Sequence, residues 1–98
     1  RLYSGRRNYL MKITKRKIKE YLDRLESPEG CNFKDGVNGL TWRCNGGTDK
    51  SYSIAILKDM KFSPVQIDEI LQVAEEGGGF CDCEVLFNAI ETLEDYWK

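Results

Sequence analysis

Four cysteines carry most of the chemistry that this sequence offers: Cys31, Cys44, Cys81 and Cys83. Four thiolates can hold a zinc ion in a tetrahedron, and such a site needs no histidine, of which the chain has none. The cysteine spacing departs from the gap of roughly two to four residues that is usual between paired zinc ligands. The residue types nonetheless predict zinc as the cofactor, with all four cysteines as its ligands.

Two other interpretations of the same cysteines stay open. The Cys81-x-Cys83 pair is also typical of a thiol redox sensor or a small oxidoreductase, and a Cys31–Cys44 bridge would close a hairpin. Alternatively, the cysteines are free thiols that fill a core as small apolar residues.

The absence of histidine narrows the enzymatic chemistry that is open to the chain. It excludes Ser-His and Cys-His nucleophilic catalysis. A metal-assisted hydrolase would need three protein ligands and an open coordination position. We interpret Asp82 and Glu84 as charges in the first turn of a helix rather than as catalytic carboxylates. The sequence argues against an enzyme, without excluding one, and yields no catalytic residue.

Charge is distributed unevenly and points to a macromolecular partner. Residues 1–26 hold nine basic and three acidic residues, a net charge of +6, whereas residues 27–98 have a net charge of −7. We expect a protein partner, with nucleic acid as an alternative through the basic first helix. The predicted contact residues are Lys15, Arg16, Lys19 and Trp42.

Local signals predict a mostly α-helical fold with a minor β component, in which four helices surround a short cysteine-bearing hairpin. The hairpin pairs residues 31–33 with residues 40–44 and places the cysteines at its open end. The helices are predicted at 15–26 after Thr14, at 49–60 after Thr48, from Pro64 to the Gly77–Gly79 triplet, and after a cap at Asp82. In the last helix, the predicted buried face is Leu86, Ile90, Leu93 and Trp97.

The chain length fits one small domain, predicted at residues 11–98, with residues 1–10 as a basic extension ahead of Met11. No apolar run approaches the roughly 20 residues that a membrane span needs, and no signal-peptide core is present. We therefore expect a cytoplasmic protein with no membrane contact.

The segment from Gly78 to Asn88, Gly-Gly-Phe-Cys-Asp-Cys-Glu-Val-Leu-Phe-Asn, resembles a box in an uncharacterised bacterial family, a domain of unknown function. Members of that family carry a C-terminal Gly-Gly-x-Cys-Asp-Cys-Glu-Val-Leu-x-Asn sequence, often with an upstream cysteine that Cys44 matches better than Cys31. The resemblance implies that Cys81 and Cys83, together with Cys44, act as one site. It implies no activity. The histidine that relatives often place near the upstream cysteine is missing here, so Cys31 is the candidate fourth ligand.

Overall fold

The computed structural model describes residues 12–44 and 46–98, so the basic extension predicted at 1–10 and Met11 lie outside the described residues. Within that part, five helices and one two-stranded antiparallel hairpin confirm the mostly α-helical fold with minor β structure. In chain order the elements are α1 (Lys15–Glu26), β1 (Lys34–Gly36), β2 (Gly39–Thr41), α2 (Ser51–Asp59), α3 (Pro64–Glu76), α4 (Asp82–Asn88) and α5 (Ile90–Tyr96).

Helix α1 forms as the sequence predicts, because its start signal and its apolar face agree. The Thr14 hydroxyl accepts a hydrogen bond from the Lys17 amide at 3.2 Å, which satisfies an amide of the first turn. The buried stripe repeats at i, i+3, i+4 and i+7 and packs against α2, α4 and α5; it consists of Ile18, Tyr21, Leu22 and Leu25.

Helix α3 also follows its local signals. Ser63 and Gln66 form a complete capping box, and Pro64 occupies the first helical position. Glycines then allow a tight exit toward α4, since a Cβ on Gly79 would lie 2.9 Å from the Val85 side chain and 3.1 Å from the Ala74 carbonyl oxygen. The triplet therefore ends α3 and brings the next segment close against it.

The paired strands of the hairpin are shorter than predicted and lie nearer the turn that connects them. Lys34 pairs with Thr41 and Gly36 pairs with Gly39, so the strands begin after Phe33 and end before Trp42. All six strand residues are exposed. Beyond the strands, the Arg43 amide donates to the Cys31 carbonyl at 2.6 Å, which joins the two segments that flank the hairpin. The predicted pairing of 31–33 with 40–44 is thus wrong in its extent, though it is right about the hairpin.

The last predicted helix is two helices, with a break at Ala89, whose φ of −113° and ψ of 3° leave the helical region. The fully buried apolar residues of the two helices and the break are Val85, Ala89 and Leu93, while Leu86 and Trp97 of the predicted face are partly buried and pack against the core. Of the predicted face, only Leu93 is fully buried, whereas Ile90 is 37% exposed. The fully buried positions still repeat every four residues, so the prediction failed in its choice of face and not in its period.

Among the described residues, no helix combines the length and the apolarity that crossing a bilayer requires.

Candidate metal centre

Three of the four cysteines meet at one point, where the segment after β2 crosses the start of α4. The sulfur atoms of Cys44 and Cys83 are 3.0 Å apart, those of Cys81 and Cys83 are 3.3 Å apart, and those of Cys44 and Cys81 are 3.5 Å apart. We call these residues the thiol triad. All are free thiols, and they form a group that could hold a metal ion.

The backbone at the start of α4 explains how two cysteines separated by one residue can converge. Residues i and i+2 of a helix point in different directions. Cys81, however, is the residue that precedes the helix, with an extended backbone (φ −130°, ψ 171°), and Cys83 lies within the first turn. This change of conformation between the two residues turns both sulfur atoms to the same side.

Arg43 fixes the backbone beside Cys44. Its guanidinium donates to the carbonyl oxygens of Pro28 and Gly30 and lies over the Tyr52 ring, 5.3 Å from the centroid. These contacts tie the segment after the hairpin to the loop after α1 and to the first turn of α2. Cys44 is thereby held against α4 although little regular structure surrounds it.

Asp82, between the two cysteines of α4, faces the opposite way and is only 1% exposed. One carboxylate oxygen accepts the Tyr52 amide and the other accepts the Ser53 amide, each at 3.0 Å. The carboxylate therefore caps α2 from another helix. The prediction that Asp82 caps its own helix is wrong, because Cys81 holds that position. The cap predicted at Thr48 is also wrong, since α2 begins after Lys50.

A buried polar chain extends the Asp82 anchor into the core. The Tyr21 hydroxyl hydrogen-bonds the Ser53 hydroxyl at 2.6 Å, and both residues are fully buried. Burial raises the pKa of Tyr21 above its ordinary value. The Cys-Asp-Cys segment therefore presents two thiols to the site and one carboxylate to the core, which sets the orientation of α4 against α1 and α2.

The three thiols of the triad differ in electrostatic environment. Hydrogen bonding from Cys83 lowers the pKa of Cys44, whose sulfur also accepts the Gly46 amide at 3.3 Å. Burial raises the pKa of both Cys81 and Cys83. Cys44 is exposed while the other two are buried, so the group has one solvent-facing corner.

Cys31 lies apart from the thiol triad. It is fully buried in the core, and its sulfur is not part of the group whose ligand atoms lie within 4.8 Å of one another. Burial raises the pKa of Cys31 to about 12. Its backbone is held on both sides, because its amide donates to the Leu25 carbonyl and its carbonyl accepts the Arg43 amide. The structure thus brings together three of the four predicted ligands.

The predicted partner residues belong to two parts of the chain, helix α1 and the segment after β2. Lys15, Arg16 and Lys19 are exposed on α1. Trp42 is 43% exposed and packs with Phe33 and with Phe87, which is 50% exposed. The Trp42 and Phe87 rings meet edge to face with centroids 5.0 Å apart. We call Phe33, Trp42 and Phe87 the aromatic cluster.

Sequence reasoning missed the roles of Arg43 and Phe87. Phe87 follows Cys83 by four residues, and this helical spacing already predicts that the two share a face. Arg43 contacts the Pro28 and Gly30 carbonyl oxygens and the Tyr52 ring, which are distant in sequence, so no local sequence pattern predicts its role.

Comparison with known proteins finds one similarity that includes this site. No curated protein and no solved structure gives a significant match to the chain. A family model described as "Protein of unknown function (DUF2695)" matches residues 43–88, just under half of the chain. The match begins at Arg43 and ends at Asn88, so it includes every member of the thiol triad. Across that segment the chain is therefore similar to an uncharacterised family.

Proposed function

We propose that this chain is a small zinc-stabilised helical module in which the thiol triad binds one metal ion, and that it acts by binding a macromolecule. One observation carries the proposal: Cys44, which lies 37 residues before Cys81 in sequence, comes within 3.5 Å of both α4 sulfurs. Thiolates grouped in this way suit zinc, whose ligands are sulfur and nitrogen atoms.

The sulfur positions fit a zinc ion after a small expansion. With zinc–sulfur bonds of about 2.3 Å in a tetrahedron, neighbouring sulfur atoms lie about 3.8 Å apart. The observed separations of 3.0, 3.3 and 3.5 Å are shorter by less than 1 Å. Two of the three separations involve the exposed Cys44, and the third, between Cys81 and Cys83, would have to widen by about 0.5 Å.

A metal at this point would stabilise the part of the fold that has the least support of its own. The isolated hairpin has only three residues in each strand, and two-stranded hairpins are marginal in water. A bound zinc ion would join the segment that follows the hairpin to α4. Apparent binding free energies of ~10 kcal/mol for structural zinc are comparable with the total stability of a small domain.

Zinc affinity measured across a cysteine series tests the metal site. We expect Cys44→Ser and Cys81→Ser to lose binding at zinc concentrations that saturate the wild type, in competition with a chromophoric chelator. Cys44 is exposed, so its substitution removes a metal ligand without creating a cavity in the helical core. Cys31→Ala is the matched control and should retain binding. Full affinity in Cys44→Ser would contradict the proposal.

The aromatic cluster supports the interaction role. Trp42 and Phe87 are half exposed, and aromatic side chains are enriched among the residues that dominate protein interfaces. The cluster joins the same two segments as the thiol triad, because Trp42 precedes Cys44 by two residues and Phe87 follows Cys83 by one helical turn. We therefore propose a protein partner at Trp42, with the basic face of Lys15, Arg16 and Lys19 as the second contact surface.

Site-specific photocrosslinking in cells tests this surface. A benzoylphenylalanine at position 42 should give one defined protein adduct, and the adduct should disappear when Cys81→Ser is added. The control position is Val65, an apolar residue of α3 that is 77% exposed. Equal adducts from positions 42 and 65, or none from either, would contradict a partner at this surface.

A second candidate function, thiol redox sensing, is favoured by the exposure of Cys44 and its 3.0 Å separation from Cys83. Peroxide would oxidise the Cys44 thiolate to a sulfenic acid and release hydroxide. Attack by the Cys83 thiol would then form a disulfide and release water. Rapid, peroxide-dependent loss of two thiols from metal-free folded protein would support this function, and uniformly slow reaction of all four cysteines would reject it.

A further inference from the structure

We infer that the metal centre takes its fourth ligand from outside the chain, and that this ligand is a thiolate. The inference rests on the proposed metal site and names the ligand that completes it. Tetrahedral zinc requires four donors, and the thiol triad supplies three. Among the described residues, no further cysteine, aspartate or glutamate joins the group, and the chain contains no histidine.

Cys31 is the internal competitor for this position, and its backbone holds it away. The Cys31 amide donates to the Leu25 carbonyl at 2.6 Å, and the Cys31 carbonyl accepts the Arg43 amide at the same distance. Its neighbour Gly30 is packed against the end of α1, where a Cβ would lie 2.2 Å from the Leu25 carbonyl oxygen. The Cys31 thiol interacts electrostatically with Cys44 and Cys81 but lies outside the group whose ligand atoms are within 4.8 Å of one another, so to join the triad it would have to leave its core position.

An external donor, in contrast, has access. Cys44 is exposed, so one corner of the triad faces solvent. The described residues 42–44, which include Cys44, belong to no helix or strand.

The three thiolate ligands and the nearby aromatic side chains favour sulfur as the donor atom of the fourth ligand. A metal that already has three thiolate ligands is soft and prefers a further soft donor to a carboxylate. Trp42 and Phe87 lie on the same two segments as the triad, and their exposed rings offer the contacts that divalent sulfur makes with aromatic groups. A small cellular thiol and a cysteine of a partner protein share this chemistry.

Cobalt(II) is a suitable spectroscopic probe, because the intensity of its sulfur-to-metal charge-transfer band grows with the number of thiolate ligands. We would load the full chain with one equivalent of cobalt(II) and titrate it with 2-mercaptoethanol, using ethylene glycol as the hydroxyl analogue. The expected result is a saturable rise of about one third, from three thiolates to four. Ethylene glycol should cause no change, and Cys31→Ala should behave as the wild type does.

Each other outcome is diagnostic. Four-thiolate intensity before any thiol is added, with a loss of about one quarter in Cys31→Ala, would assign the fourth position to Cys31 and overturn the inference. A three-thiolate spectrum that 2-mercaptoethanol does not alter would also overturn it. In both cases the proposed metal site would stand. Failure to bind cobalt(II) or zinc would instead reject the proposed function itself.

Two further probes separate the sources of the thiol. Tighter binding of reduced glutathione than of a Gly-Cys-Gly peptide with blocked ends would support a small free thiol. Tighter binding of the peptide would support a cysteine from a partner protein.

Discussion

Removing the Asp82 carboxylate should destabilise the fold more than any other single change of charge near the metal centre. This carboxylate is buried and accepts the amides of Tyr52 and Ser53, both at 3.0 Å. These amides belong to the first turn of α2, which has no side-chain cap of its own from Lys50. Asp82→Ala therefore leaves two amide donors without an acceptor, and water reaches the Ser53 amide poorly.

The expected loss of stability follows from the two hydrogen bonds that the Asp82 carboxylate accepts. A hydrogen bond to a charged group contributes about 1.5–3 kcal/mol, and an unsatisfied buried donor costs a similar amount. We expect Asp82→Ala to lower the free energy of unfolding by about 4 kcal/mol. Asp82→Asn keeps one acceptor oxygen but turns an NH2 group toward the other amide, so we expect a loss of about 2 kcal/mol. Either value is a large part of the roughly 5–15 kcal/mol that stabilises a small domain.

Urea denaturation followed by far-ultraviolet circular dichroism measures this loss, at a fixed free zinc concentration so that metal linkage is constant. Glu84→Gln is the matched control, because it removes the neighbouring negative charge from a less buried side chain. Its free energy of unfolding should stay within about 0.5 kcal/mol of the wild-type value. Equal effects of Asp82→Asn and Glu84→Gln would refute the reasoning, since they would show that the cap on α2 contributes nothing beyond general charge.

Two further predictions concern packing and pH. Gly30→Ala should lower the urea midpoint strongly, because the new Cβ would lie 2.2 Å from the Leu25 carbonyl oxygen. Gly36→Ala is the control and should have little effect, since the atom nearest to its new Cβ lies 3.4 Å away. Equal urea midpoints for the two variants would contradict this prediction. Burial raises the pKa of Tyr21, so its hydroxyl stays protonated in the fold while the unfolded chain loses this proton near pH 10. The stabilisation from the protonated Tyr21 hydroxyl is therefore complete below pH 10. Above pH 10 the free energy of unfolding falls by up to about 1.4 kcal/mol per pH unit. Tyr21→Phe should remove that part of the decline in urea titrations from pH 9 to pH 11, and unchanged slopes would rule out the assignment.

The sequence was informative wherever the signal for an element lies within that element. Helix α1 has its cap at Thr14, and α3 has its capping box at Ser63 and Gln66, so both could be predicted with their bounds. Helix α2 could be predicted only in part: Asp49 accepts the Ser51 amide locally at 2.9 Å, whereas the Tyr52 and Ser53 amides are satisfied by Asp82, about 30 residues downstream. A residue that caps a distant helix leaves no local pattern.

The metal centre was likewise only partly predictable from the sequence. Residue types indicated a cysteine site, and the resemblance of the Cys-Asp-Cys box implied that Cys81 and Cys83 act together with Cys44, but the spacing did not show which sulfurs meet. That selection depends on the crossing of the Cys44 segment over α4 and on the extended backbone at Cys81. It also depends on the burial of Cys31 beneath the loop that Arg43 closes. All three features come from packing between segments that are distant in sequence.

The most direct test of the central claim is the metal content of the chain, purified without an affinity metal and measured by elemental mass spectrometry. Circular dichroism during addition of a chelator would complete the measurement. We predict about one zinc per chain, the stoichiometry of a single tetrahedral site, together with loss of ordered structure when the metal is removed. Metal-free protein whose spectrum does not change with chelator would contradict the account.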